Sequence, residues 1–354
     1  MGKKKKVIFF TSPEVGGAER VTLTIAKMLP QSEYDITIAV AGRTKGEITG
    51  FVPEYMNVCL VRIRNIWDFT TLRFVRLLKK IRPDMVFSSL FYLNIRVVFA
   101  AKIVGGIKTI VRNNISFTRQ GRLGSLLVQK AYQKADVIVC QTDEMKAEME
   151  SIKGVESKKI MVIRNPIDVE TIIRLSDGCY SPFDKEHTHF VYVGRIAASK
   201  GTDILIKAFE KAHNAMPMSQ LHIIGKLAIE NSFQYALKSE ITDRHLVDSV
   251  VWHGYQSNPY PFIKFADCFV LPSRVEGLPN VALEAMYLQT PVVATRCVPV
   301  IDRMIPKERG TVVDVEDVNG LANAMIIEVK RKIEKPYTEL GNDSWTELFC
   351  INHL

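Results

Sequence analysis

Two carboxylates eight positions apart, Glu276 and Glu284 in the stretch SRVEGLPNVALEA, are the first residues whose types and spacing suggest chemistry. Gly277 frees the backbone after Glu276, and Pro279 suits the first turn of a helix. The N–H groups of Gly277, Leu278, Pro279's neighbour Asn280, and Val281 are therefore expected to line a ligand pocket at a helix start. Glu276 lies just outside that helix and Glu284 one to two turns inside. On an ideal helix, eight residues leave two side chains about 80° apart and about 12 Å along the axis. Such a pair is badly placed to share a proton or a metal and well placed to hold two ends of one elongated ligand.

Two further loops carry candidate chemistry. In GRIAASKG (194–201), Arg195 and Lys200 precede an amphipathic helix read over about Thr202 to His213, and two cations beside a helix N-terminus suit a diphosphate. Taken alone, the same pair reads better as two surface charges. In TSPEVGGAE (11–19), Gly16 and Gly17 let the backbone approach a ligand, with free N–H groups of the following helix facing an anion. The alternative is a bare turn. The loop is neither GxGxxG nor GxxxxGK[ST], which disfavours dinucleotide and Walker-type sites.

The elements that must position these loops are short β-branched runs. They recur at 7–12, 36–41, 85–90, 107–112, 136–141 and 160–163, then at 190–194, 221–225, 268–271 and 291–295. Helical patterns lie between them, as at 19–29, where Val21, Ile25, Met28 and Leu29 form one stripe. Alternating strands and helices, the strands apolar on both faces, predict an α/β protein with parallel sheets. A chain of 354 residues has room for two such units. Asn165-Pro166-Ile167-Asp168 marks the boundary, giving domains over 1–168 and 169–335 and a terminal segment over 336–354 with a short helical pattern at Ser344–Cys350. In doubly wound folds ligands sit beyond the carboxyl ends of strands, which is where all three loops fall.

Composition narrows the classes. No run approaches a membrane span, and the Met-Gly-Lys-Lys-Lys-Lys start lacks a secretory core, so the cytoplasm is the expected location. The six cysteines include no CxxC pair, which argues against a disulfide framework or a zinc site. Residues 1–168 hold 28 Lys+Arg against 15 Asp+Glu, while residues 169–354 hold 19 against 23. The basic half is either a solvated surface or the face for a membrane, a phosphorylated substrate or a nucleic acid. No RNP-like, KH-like or zinc pattern supports a nucleic-acid partner.

The three motifs together, Glu276-x7-Glu284 in SRVEGLPNVALEAMYLQTPVVAT, GRIAASKG, and GGAERV after the first strand, resemble the retaining family 4 glycosyltransferases of the GT-B fold. The run HGYQSNPYPFIKFADCFVLPS is similar to bacterial members that build surface polysaccharides. The resemblance implies two Rossmann-like domains facing a central cleft, with an N-terminal acceptor domain, a C-terminal domain for a nucleotide-sugar donor, and a chain end returning to the first domain, Trp345 anchoring it. It implies Arg195 and Lys200 on the donor diphosphate, Gly16 and Gly17 near it, Glu276 on hydroxyls of the transferred sugar, and Glu284 on the ribose. UDP is the expected nucleotide, the acceptor a glycan or lipid-linked sugar, and no metal or other cofactor is called for, there being no DxD-like pair beside a strand.

Departures from the family pattern are local. All seven histidines lie beyond residue 186, whereas many members carry one in the first domain near the reacting sugar. The corresponding loop reads Arg112-Asn113-Asn114-Ile115-Ser116, in which Asn113 or Asn114 either orients the sugar or makes an Asx turn. The loop at 296–300, RCVPV, lacks the glycines that help bind phosphate in relatives. The stretch Trp67–Arg82 sets Leu72, Val75, Arg76, Lys79 and Lys80 at helical spacing, either a helix packed on the sheet or a basic amphipathic face for anionic lipid. A sugar-nucleotide epimerase and a non-catalytic scaffold of the same fold are the competing readings.

Overall fold

The computed structural model describes residues 3–64, 71–114, 122–178, 180–226, 232–333, 336–337 and 343–350. Its chain divides into two compact units, Met1–Ile167 with Leu340–Leu354, and Asp168–Glu339.

Unit 1 runs β1 (Lys5–Thr11), α1 (Gly17–Met28), β2 (Tyr34–Gly42), β3 (Asn57–Arg62), α2 (Thr71–Ile81), β4 (Met85–Ser88), α3 (Phe91–Val104), β5 (Lys108–Asn113), α4 (Arg122–Lys134), β6 (Val137–Cys140), α5 (Asp143–Glu150) and β7 (Ile160–Val162). The strands form one parallel sheet in the order β3-β2-β1-β4-β5-β6-β7. Parallel strands need crossovers, and each crossover helix buries one apolar face on the sheet. Alternate residues of β1 serve the two faces: Val7 and Phe9 enter one core with Val21 and Ile25 of α1, while Ile8 and Phe10 enter the other with Phe74 and Leu78 of α2. The expected stripe of α1 is therefore its core face.

Unit 2 runs α6 (Val169–Ser176), β8 (Thr188–Val193), α7 (Thr202–Ala215), β9 (Ser219–Ile224), α8 (Ser232–Asp243), β10 (Val250–Gly254), α9 (Tyr260–Lys264), β11 (Cys268–Leu271), α10 (Asn280–Tyr287), β12 (Val292–Thr295), α11 (Ile301–Met304), β13 (Gly310–Val313) and α12 (Val318–Glu328). Its parallel sheet has the order β10-β9-β8-β11-β12-β13. The last helix, α13 (Asp343–Cys350), belongs to unit 1. There Trp345 is fully buried, its indole N–H donating to the Arg164 carbonyl at 2.8 Å, and Phe349 packs on Phe9 and Phe87. Burying three large apolar side chains, Trp345, Leu348 and Phe349, contributes on the order of 1.5–3 kcal/mol each.

Three strands escaped the sequence reading, β3, β10 and β13, all on the outer parts of the sheets. Asn113 also differs from expectation. It closes β5 instead of sitting in the loop, and its buried carboxamide oxygen accepts from the Tyr132 hydroxyl at 3.4 Å. Asn114 follows it, half-buried; Ile115 and Ser116 lie outside the described residues. In α2 the core stripe is Phe74, Val75 and Leu78, and Leu72 is 63% exposed beside exposed Arg76, Lys79 and Lys80. Trp67 lies outside the described residues.

Candidate active site

In unit 2 the first and fourth strands along the chain, β8 and β11, are neighbours, so the loops that leave their carboxyl ends meet. Two contacts show how tightly. Gly201 ends the turn Ala198–Lys200 with φ +65, and a Cβ there would lie 1.9 Å from the Pro272 carbonyl oxygen. Only glycine combines that backbone angle with that approach. Arg274 makes the second contact. Its N–H donates to the Ser199 carbonyl at 3.0 Å, and its guanidinium donates to the Ala198 carbonyl at 2.5 Å and twice to Asp203 at 2.7 Å.

This junction brings Lys200 and Glu276 together. The ammonium lies 2.6 Å from Glu276 Oε1, with the two side chains only 21% and 12% exposed. The buried Ser273 hydroxyl donates to the same oxygen at 2.7 Å. Thr295, at the end of β12, donates to the Ser273 carbonyl and so fixes the strand end that carries the serine. Arg195, one loop residue beyond Gly194, is exposed, while its carbonyl accepts from the Tyr192 hydroxyl at 2.7 Å. Burial first, and then Glu276, pushes the Tyr192 phenol well above its ordinary pKa.

The segment after Glu276 corrects two details. Helix α10 begins at Asn280, with Pro279 as its N-cap residue and no side chain capping it. Glu276 is therefore in irregular chain four residues upstream, and the ideal-helix offset between Glu276 and Glu284 does not describe the pair. Gly277, Leu278, Asn280 and Val281 are half-buried around this uncapped start, and Glu284 is half-buried within the helix. First-turn N–H groups left without a side-chain cap, close after a cation–carboxylate pair, offer groups suited to a ligand carrying both hydroxyls and negative charge.

Sequence reasoning missed three contributors. Ser273 and Arg274 stand inside the quoted motif; the Ser273 hydroxyl serves Glu276 three residues on, while the partners of Arg274 come from segments distant in sequence. Cys297 occupies the glycine-poor loop after β12; burial and then Glu276 push its thiol up to about 12. Arg296 in that loop is engaged by Asp302 at 2.9 Å and by Asp314.

In unit 1, Gly16 is the N-cap residue of α1, again without a side-chain cap, and the space around a Cβ on Gly17 is open. Glu19, in the first turn, is buried and accepts from the Ser12 hydroxyl at 2.7 Å. That bond ties the loop to the end of β1, a role the sequence did not disclose.

Comparison with known proteins places this architecture. The crystal structure of Anabaena HepE in complex with UDP and glucose superposes with a TM-score of 0.78 at 16% identity, over 92% of this chain and 90% of that one. The two parallel-sheet units have the GT-B glycosyltransferase fold. Residues 15–171 match Glycosyltransferase Family 4 and residues 181–339 match Glycosyl transferases group 1, and the chain belongs to these glycosyltransferases. An uncharacterized glycosyltransferase of Methanocaldococcus jannaschii is 28% identical over 66% of this chain and 61% of its own length. The Escherichia coli UDP-Gal:alpha-D-GlcNAc-diphosphoundecaprenol alpha-1,3-galactosyltransferase is 25% identical over 89% of this chain and 85% of its own.

Proposed function

We propose that the protein is a retaining glycosyltransferase that moves a hexose or N-acetylhexosamine from a UDP-linked donor to a glycan or lipid-linked acceptor in bacterial polysaccharide synthesis. The observation that carries the reading is the Lys200–Glu276 pair, 2.6 Å apart, just ahead of the uncapped start of α10. An ammonium has three N–H donors, so Lys200 can keep Glu276 and still reach phosphate oxygens. Arg195 supplies the second cation. Glu276 accepts from hydroxyls of the sugar, the N–H groups from Gly277 to Val281 line the sugar and phosphate, and Glu284 accepts from the ribose. Within unit 1, Gly16 and Gly17 let the backbone approach a phosphate group, and Asn113 and Asn114 belong to the sugar or acceptor side.

As the glycosidic bond breaks, positive charge grows on the anomeric carbon and negative charge on the departing diphosphate. Lys200, on the turn that Arg274 pins, and Arg195 stabilise that separation more than they stabilise the intact donor. They do the work a metal would do, and the reading calls for no metal. The leaving phosphate oxygen takes the acceptor proton as attack proceeds on the face of departure, so no second protein base is required. The E. coli relative acts on a diphosphoundecaprenol-linked sugar. A similar acceptor here gives the basic unit 1 a partner, with Leu72, Arg76, Lys79 and Lys80 of α2 as its membrane-facing patch on the inner face of the cytoplasmic membrane.

The test is the melting temperature against UDP, GDP, ADP and CMP, with Arg195→Ala and Glu284→Gln as controls. A nucleotide at about 100 times its Kd stabilises by about 2.7 kcal/mol. A shift for one nucleotide, abolished by both substitutions, is expected; no shift with any nucleotide overturns the reading. The anomeric configuration of the product, read by NMR, then decides retention.

A further inference from the structure

Arg112 is a buried cation that the fold alone does not account for. It lies near the carboxyl end of β5 and is 1% exposed. One guanidinium nitrogen donates to the Asn165 carboxamide oxygen, while Nε and Nη1 have no partner. Burial lowers its pKa to about 9, so it stays charged at neutral pH. A neutral amide is weak compensation for the desolvation of a buried charge.

Its surroundings share this deficit. Thr11 Oγ1 at the end of β1 and Gln141 Oε1 just past β6, which alternate onto the same sheet face as Phe9 and Val139, are likewise buried without partners. Both lie at the carboxyl edge of the unit 1 sheet, where ligands of doubly wound folds seat. Arg112 shares its face of β5 with Ile110, whose core also takes Val21, Leu23 and Ile25 of α1. The uncapped N-terminus of α1 thus belongs to the same face as the unpaired guanidinium.

We propose that Arg112 anchors an anion-binding site in unit 1 that takes a phosphate or diphosphate group. The site stands on unit 1 alone; the identity of the anion rests on the glycosyltransferase reading, in which either the donor diphosphate or the phosphate of a lipid-linked acceptor supplies it. Calorimetric titration with inorganic pyrophosphate, in a Lys200→Ala background that silences the unit 2 cation, measures it without transfer chemistry. Arg112→Gln is expected to weaken pyrophosphate by about tenfold or more, and Arg112→Lys to restore part of the loss. Unchanged pyrophosphate affinity overturns the proposal. Without ligand, Arg112→Gln is expected to melt at or above the parent temperature, because it removes an uncompensated charge. A fall of more than about 4 °C assigns Arg112 to holding the fold, and also overturns the proposal. With Lys200 intact, weaker UDP in Arg112→Gln assigns the donor as source, and weaker geranyl diphosphate with unchanged UDP assigns the acceptor. Pyrophosphate binding through Arg112 with no binding of either probe leaves the anion site standing and removes the glycosyltransferase reading of it.

Discussion

Replacing Arg274 tests whether the junction of the two unit 2 loops sets the geometry of Lys200. The guanidinium makes a two-bond fork to Asp203 at 2.7 Å, reaches the Ala198 carbonyl at 2.5 Å, and meets Glu316 at 2.5 and 3.2 Å. Asp203 is 23% exposed and Glu316 59% exposed, so the two carboxylates do not weigh equally. Screening leaves the Glu316 pair about 0–1 kcal/mol, while the less exposed fork is worth about 2 kcal/mol with its carbonyl contact. Arg274→Gln should therefore cost about 2 kcal/mol, a fall of about 4–8 °C in the melting of a unit this size. Lys200 sits at the end of the turn that Arg274 pins, and a displacement of about 1 Å at a reacting centre costs up to about a hundredfold in rate. We expect kcat/KM for the nucleotide sugar to fall by at least about tenfold, with Asp203→Asn reproducing most of both effects. Glu316→Gln should stay within about 0.5 kcal/mol of the parent protein. The reasoning is refuted if Arg274→Gln melts and turns over as the parent does, or if Glu316→Gln and Asp203→Asn prove equal.

Gly201→Ala should destabilise unit 2 by several kcal/mol and abolish nucleotide binding, because its φ is +65 and the new Cβ would lie 1.9 Å from the Pro272 carbonyl oxygen; a normal melting curve would contradict this. Stability should depend on pH through the hydrogen-bonded row His189–His222–His253, linked at 2.9 Å and 2.9 Å, with Asp184 and His187 at its open end. Burial, with the neighbouring histidines, lowers His222 from near 6.5 to about 3, and burial lowers His253 too. The unfolded chain then binds more protons, so stability is complete above about pH 6.5 and falls as pH drops toward 3, by at most about 1.4 kcal/mol per pH unit for each proton. His222→Gln should flatten that slope in thermal melts from pH 8 to 4. Reversing Arg76, Lys79 and Lys80 to glutamate should release the protein from anionic liposomes in a sedimentation assay; unchanged sedimentation would remove α2 as the contact, Arg73 being already engaged by the Arg62 carbonyl at 2.6 Å.

The fold was legible where burial leaves a simple pattern. Central strands such as β1 and β11 are apolar on both faces, and their runs stand out without reference to neighbours. Strand β3, with the pattern exposed, partly buried and polar at its ends, reads as a loop because it lies at the sheet edge and has one strand partner. Asn113 illustrates a different limit. Asparagine beside asparagine signals a turn locally, but pairing with β6 and the Tyr132 hydroxyl hold it in a strand.

The site was legible in its charges and opaque in its fastenings. Glu276 and Lys200 could be named because loop carboxylates and cations beside glycines are unusual enough to mark; that they touch follows from strand order, which places β8 beside β11 though two strands, β9 and β10, separate them in sequence. Arg274 looks from sequence like one more surface cation. Its value arises only once Ala198 and Asp203, from the β8–α7 connection, and Glu316, from after β13, converge on it. The same logic separates Arg112 from Arg274. A guanidinium ringed by carboxylates has spent its hydrogen-bonding capacity on the fold, whereas one buried with two unpaired nitrogens retains capacity for an anion from outside the chain. Counting what each buried cation lacks is therefore a sharper guide to ligand contacts than counting the cations themselves.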